Sequence, residues 1–417
     1  MYSKGKYILF QTVLMIASPI SSLFVSLRFY KNTISQIFFI IFAYYFGYYC
    51  GFVNDLMHHF VDMRNLYVGQ SLKEVLGDER IYLLGSDLYH IAFKFILSRF
   101  TTSTQVFGGC ACAVYAALFV FFIRQFKEFY KGSLSVPCTM LFVCTAVVIE
   151  YYRYQGLRFA TGAFYFLAFY MKYVNTRNWR YLLLGSLCPL FHFSLITLPA
   201  CVGVNWLLNR ASIWTRLALL ATSVFVRMQN VDFVPFLLKV VPIKYQIYLG
   251  IDVTDSRIRT SVLNHMADMR AYGNIFYRYR SSFLLLCGGA ILFLFWRNKV
   301  PFDKRYRVLF YMFLTLYTVV NFCYGDLTFF DRFFQITLVL FYSYLFVVSV
   351  KYYDRLKHVN FLFMCMALIP MAYALLSPLI EEREYLFHWE LLFGNFFVDW
   401  DGNTLNFPYE WRFYKGN

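Results

Sequence analysis

The chain has 417 residues and is 60% hydrophobic and 22% aromatic, with only 15% charged residues and a mean hydropathy of +0.51. A soluble globular domain carries about a quarter charged residues, so the composition excludes an ordinary water-soluble fold and predicts an all-α polytopic integral membrane protein. The formal charge of +16 would suit nucleic acid, but the basic residues are spread through short loops between apolar runs, as the positive-inside rule requires, and no nucleic-acid partner is expected.

Runs such as IFFIIFAYYF are apolar all round, which excludes the alternating pattern of an outer-membrane barrel. The first apolar run, from Tyr7, ends in charge rather than in a small-residue cleavage site, so no cleavable leader is expected. Most of the ten cysteines lie inside apolar runs and no CxxC pair occurs, which reads as small buried filler rather than a disulfide or metal framework.

About twelve spans are predicted, near 7–27, 34–53, 104–123, 133–150, 158–173, 180–194, 196–208, 213–228, 281–296, 308–325, 333–350 and 359–378. The sixth and seventh are short and carry Pro189 and Pro199, so a re-entrant hairpin is an alternative there. Arg28 and Lys31, Arg124 and Lys127, Lys172 and Arg180, Arg210 and Arg216, the 297–307 cluster, and Lys351 with Arg355 all fall on one face, which is assigned as cytoplasmic. The other face receives the loops 54–103 and 229–280 and the tail 379–417, and both termini are expected there. No linker divides the chain and no internal repeat is visible, so 1–417 is treated as one transmembrane domain.

The polar residues worth weighing gather on that external face. Arg153 and Arg158 stand at the mouth of the fifth span, where the positive-inside rule does not ask for cations. They either snorkel to lipid phosphates or mark an anion site inside the bundle. In NDLMHHFVDMRNLY, His59 and Asp62 lack the spacing of a metal site, so no metal is expected, and one carboxylate of a wet loop could serve as a base. Further on, Leu88, Ile91, Ala92, Phe95 and Ile96 recur at helical spacing, which reads as an amphipathic helix on the external membrane surface.

His192, in CPLFHFSLITLP, is either a structural hydrogen-bond partner or a proton-transfer group. Asp331 and Arg332 are either a self-neutralised neighbour pair or place Arg332 opposite Arg158 as the second half of an anion clamp. The loop 229–280 interleaves cations, among them Arg257, Arg270 and Arg278, with aromatics such as Tyr277. That mixture suits a polyanion or a sugar.

The blocks GLRFATGAFYFLAFY and NWRYLLLGSLCPLFHFSLITLP, the run from FAYYFGYYCGFVND through DLYHIAFKFILSRFTTSTQVF, and the late Asp331-Arg332-Phe333 resemble the EpsG branch of Wzy-type polysaccharide polymerases. Arg158 matches that family's span-opening arginine, and His192 with Ser194 its His-x-Ser in a short hairpin; the likeness covers roughly residues 35–350. Where the family carries a run of aspartates and tyrosines, this chain has NDLMHHFVDMRN, so either His59 or Asp62 stands in or the base lies elsewhere.

The resemblance implies a GT-C-like glycosyltransferase bundle in the cytoplasmic (inner) membrane with its active side outside. It would join repeat units carried on undecaprenyl diphosphate, as donor and as acceptor, into O-antigen, capsule or exopolysaccharide. On that reading Arg158 holds the lipid diphosphate, Arg332 assists, Arg153 supports it or guards the way in, and His192 positions or deprotonates a sugar hydroxyl. The donor is already activated, so no cofactor is needed, and no glycine-rich nucleotide fingerprint is present. A flippase and a chain-length regulator are the protein partners such an enzyme implies, beside the lipid bilayer. The alternatives carried forward are a glycan ligase with a different acceptor, a polytopic acyltransferase, and a lipid-linked sugar transporter.

Overall fold

The structure, a computed structural model, describes residues 4–49, 55–78, 87–130, 134–147, 149, 157–229, 306–324 and 327–356. Among these, all regular structure is helical and no strand occurs. The spans expected at 281–296 and 359–378, the 229–280 loop beyond its first residue, and the tail from 379 lie outside the described residues. The chain divides into two compact units, one of residues 1–131, 150–197 and 372–417, the other of residues 132–149 and 198–371.

The first unit opens with α1 (Lys4–Ala17), α2 (Pro19–Arg28) and α3 (Thr33–Tyr49). The span expected at 7–27 does not form. Pro19 supplies no backbone N–H, Ser18 is extended (φ −158°, ψ 92°), and its hydroxyl accepts the Ser21 N–H to start a new helix. The chain then folds back: Ser22 Oγ donates to Gln11 Oε1 at 2.9 Å, whereas eleven residues of continuous helix would separate the two by about 16 Å. Gln11 Nε2 also donates to Tyr7 Oη (3.0 Å), and Tyr7 Oη pairs with Ser35 Oγ at 2.7 Å. The polar groups of the hairpin thus satisfy one another on its inside, while Leu9, Val13, Phe24 and Leu27 are exposed on its outside.

Next come α4 (Asp55–Leu66), α5 (Leu72–Gly77), α6 (Leu88–Leu97) and α7 (Thr104–Arg124), which runs on as a 3-10 turn over Gln125–Phe129. Ser103 caps α7 through the Val106 N–H, and α7 crosses α3 backbone to backbone. Glycine makes the crossing possible: a Cβ on Gly47 would sit 2.5 Å from both the Gly108 carbonyl oxygen and Cys112 Cβ. Gly47→Ala is therefore expected to destabilise the unit by about 1–3 kcal/mol, the usual cost of overpacking, readable as a lowered thermal unfolding midpoint in detergent. The unit closes with α9 (Phe159–Thr176) and α10 (Arg180–Gly185). At six residues and about 9 Å, α10 is far too short to cross hydrocarbon, and the chain continues in two 3-10 turns, Cys188–Leu190 and Phe193–Ile196.

The second unit holds α8 (Val136–Val147), α11 (Thr197–Leu207), α12 (Ile213–Met228), α13 (Arg307–Phe322) and α14 (Leu327–Lys351). The C-terminal end of α11 is closed by the buried Arg216. Its guanidinium donates to the Leu208 carbonyl (2.7 Å) and to Asn205 Oδ1 (2.6 Å), which also accepts from Thr315 Oγ1 at 2.8 Å. At the other end of α12, buried Arg227 donates to Asn321 Oδ1 at 3.1 Å.

Among the described residues two helices are long and apolar enough to cross a membrane, Thr104–Phe129 and Phe329–Lys351, of 26 and 23 residues. Large apolar side chains stand exposed elsewhere too, including Trp206, Leu207, Trp214 and Phe225 in the second unit. Exposed apolar surface over buried polar contacts fits a lipid environment better than water.

Candidate functional site

The site is built around α6, which carries Asp87 at its N-cap and His90 and Lys94 one and two turns later. Spacings of three and four residues put the three on one face. That face is turned inward: Asp87, His90 and Lys94 are buried, while Leu88, Ala92 and Ile96 are exposed. Of the apolar positions expected on one face, Leu88, Ala92 and Ile96 are exposed, Phe95 is half-buried and Ile91 is buried. A buried polar face costs free energy unless its groups are paired; Asp87 and Lys94 each bond to another element, and His90 faces the ring of His59.

At one end, Asp87 Oδ2 accepts from Arg158 Nη1 at 3.0 Å, both side chains 7% exposed. Asp87 Oδ1 accepts the backbone N–H of Phe193, also at 3.0 Å. Asp87 makes no side-chain cap bond to its own helix; it has exchanged that ordinary role for long-range contacts with residues 71 and 106 positions away. Leu157, just before Arg158, is held at φ +42°, a left-handed conformation that costs a non-glycine residue on the order of 1–3 kcal/mol. Such strain persists only where the surroundings over-determine it, and here it sets Arg158 at the mouth of α9.

Phe193 belongs to the turn that carries His192 and Ser194. His192 is extended (φ −157°, ψ 124°), and its Nδ1 accepts the Ser194 backbone N–H at 3.3 Å with the Ser194 hydroxyl at 2.8 Å. With Nδ1 turned to Ser194, Nε2 is the ring nitrogen left to face a ligand. The turn rests on α9 at Gly162, where a Cβ would lie 2.6 Å from Phe191 Cβ and 2.5 Å from Leu195 Cδ1. Phe191 in turn stacks against Tyr89 of α6, ring centroids 4.6 Å apart.

At the other end of α6, Lys94 Nζ donates to Asp62 Oδ2 of α4 at 2.9 Å; Lys94 is 1% exposed and Asp62 25%. Between the two ion pairs lie His59 of α4 and His90, ring centroids 5.6 Å apart and both buried. Burial, then the charges of Lys94 and Arg158, holds His59 well below the usual imidazole range. The same causes, in the same order, push His90 down to about 3. Both rings are neutral at physiological pH.

An unfolded histidine takes up a proton near pH 6.5, whereas the folded His90 does so only near 3. Its contribution to stability is complete above 6.5 and is lost as the pH falls towards 3, at about 1.4 kcal/mol per pH unit for one proton. His90→Gln is expected to flatten this acid limb relative to the parent chain, which thermal unfolding of both between pH 7 and 4.5 would show.

Of the other residues expected from sequence, Arg332 and Asp331 lie half-buried on the first turns of α14, in the second unit. Arg153, Arg257, Arg270, Tyr277 and Arg278 lie outside the described residues. Sequence reasoning missed Asp87, His90 and Lys94 as site residues, although their three- and four-residue spacing is visible in the chain. Among the described residues no group of three or more His, Cys, Asp or Glu side chains is arranged to hold a metal ion. No family model, no curated protein and no solved structure matches the chain.

Proposed function

We propose that the protein is a membrane glycosyltransferase that polymerises oligosaccharide repeat units carried on a polyprenyl diphosphate, undecaprenyl diphosphate by resemblance, at the external face of the cytoplasmic membrane. The observation that carries the proposal is the buried Arg158, oriented by Asp87, which in turn holds the His192–Ser194 turn. The helical architecture, two helices of membrane-crossing length and the lipid-like exposure of apolar residues support a polytopic bundle. The architecture proposed is a GT-C-like helical bundle without crossings at 7–27 and 180–194.

The chemistry follows from the groups present. In the reaction an acceptor hydroxyl attacks the anomeric carbon of the donor sugar. The bond from that carbon to the diphosphate oxygen breaks, its electron pair leaves with the lipid diphosphate, and the hydroxyl proton passes to a base. Arg158 is the group that meets the growing negative charge. A guanidinium has five N–H donors in a planar fork, the geometry that suits a diphosphate, and the bond to Asp87 holds one of its Nη atoms.

His192, whose Nδ1 accepts the Ser194 N–H, offers Nε2 to the leaving group or to a sugar hydroxyl in this reading. The base in this reading is Asp62, the more open of the two paired carboxylates of the cluster. Lys94, its partner, stands seven residues beyond Asp87 on α6, about 10 Å along the helix. A separation of that order leaves room for a sugar between the leaving group and the base.

The deciding experiment incubates the purified protein in nanodiscs with the lipid-diphosphate repeat unit and no other enzyme, and separates the products on a gel. The expected result is a ladder stepped by one repeat unit. A single product step onto another acceptor would instead establish a ligase, and an unchanged substrate band from folded protein would remove the proposal.

A further inference from the structure

The hairpin of α1 and α2 changes where cations gather. Tyr7 packs edge-on against Phe29, centroids 6.0 Å apart, and bonds to Ser35 at the start of α3. Lys4 and Lys6, within one turn of Tyr7 on α1, therefore stand at the same end of the first unit as Arg28 and Lys31. Lys127 joins them by donating to the Lys31 carbonyl, and the Lys31 ammonium lies over the Tyr130 ring at 4.3 Å. Arg124 is in the same turn region. Of these six cations, five are exposed and Lys127 is half-buried.

Like charges crowded on one end of a bundle repel one another unless anions lie against them. The outside of the hairpin bears exposed Leu9, Phe10, Val13, Phe24 and Leu27, so the cations border an apolar surface. α1 is about 21 Å long and α2 about 15 Å, against roughly 30 Å of hydrocarbon. The hairpin can enter a leaflet and return without crossing.

We propose that Lys4–Arg28 is a re-entrant hairpin, both ends of which lie on the basic face, and that this face binds anionic phospholipid headgroups of the leaflet it enters. The proposal rests on the membrane reading of the chain but on no catalytic activity, so it stands or falls independently of glycosyl transfer. It also reverses the expectation that the start of the chain lies outside: Lys4 belongs on the face of Arg28 and Lys31.

Two measurements test it. The first compares full-length protein in nanodiscs of phosphatidylcholine alone with nanodiscs containing a third phosphatidylglycerol. The unfolding midpoint is expected to rise by several degrees with the anionic lipid, and the rise should shrink by at least half in K4Q/K6Q and in 0.5 M salt. Equal midpoints in the two lipids would overturn the headgroup site. The second places an epitope ahead of Lys4 and probes spheroplasts with antibody. Labelling only after permeabilisation is expected, and labelling of intact spheroplasts would overturn the re-entrant hairpin.

Discussion

Replacing Arg158 with alanine is expected to abolish chain extension and to destabilise the first unit, and the two effects can be separated. The guanidinium is buried against Asp87 at 3.0 Å, so its removal leaves a buried carboxylate facing the space it filled. Breaking one side of such a pair typically costs about 3–5 kcal/mol. In the proposed reaction the same change removes a donor aimed at the departing diphosphate, worth about 10²–10³ in rate. The double variant D87A/R158A removes both charges, and its unfolding midpoint should recover most of what R158A loses. Activity should not recover, because the cation remains absent. If the double variant regains both stability and chain extension, Arg158 serves the fold alone. Lysine at 158 can keep a charge near Asp87 but not the planar fork; R158K is expected to fold nearly as well as the parent chain and to extend chains poorly, a contrast readable from the ladder and the melting curve.

That pair also marks where sequence reading stops. Arg158 stood out because a cation on the external side of a span needs a cause, and that argument uses only residues near it in the chain. Asp87, its partner, is 71 residues away, and nothing in the intervening sequence signals which carboxylate returns to it. Where the determinants are local, the reading came closer. The helix expected at 104–123 runs from Thr104 to Arg124 because Ser103 caps it and a cation ends its apolar run. The helix at 213–228 likewise follows Ser212, whose hydroxyl accepts the Thr215 N–H.

The first apolar stretch misled for a related reason. Hydropathy over 7–27 is high enough for a span, and a single proline inside it is compatible with a kink. What decides for a fold-back is the set of polar side chains, Gln11, Ser22 and Ser35, which find one another only if α2 returns along α1 and α3. In α6 the apolar positions are those that catch the eye, and they read as a face seated on the membrane surface. In a lipid setting the burial preference of a polar stripe is inverted, and Asp87, His90 and Lys94 are inside because partners from α4, α9 and the 193 turn await them there.

Gly162 offers the sharpest control on the geometry, because it touches none of the polar groups yet sets where one of them lies. It sits on the first turn of α9, one turn after Arg158, under the turn that carries His192. A methyl group there would come within 2.5 Å of Leu195 Cδ1 and 2.6 Å of Phe191 Cβ. The leucine methyl can rotate away, but Phe191 Cβ is fixed to the backbone, so the 191–195 turn must lift by nearly an ångström. That motion draws the Phe193 N–H from Asp87 Oδ1, now 3.0 Å away, and shifts His192 with it. Overpacking of this kind costs about 1–3 kcal/mol in stability, which a folded membrane protein can survive. A misplacement near 1 Å in a reacting constellation can cost about 10²-fold in rate. Gly162→Ala is therefore expected to remain folded, with its midpoint lowered by a few degrees, while chain extension falls by about two orders of magnitude. Gly203→Ala, at a position where an added Cβ meets nothing within 4 Å, is the matched control and should leave both readings unchanged. Parent-like extension in G162A would show that the His192 turn takes no part in the reaction, and would confine the site to Arg158 and the α6 face.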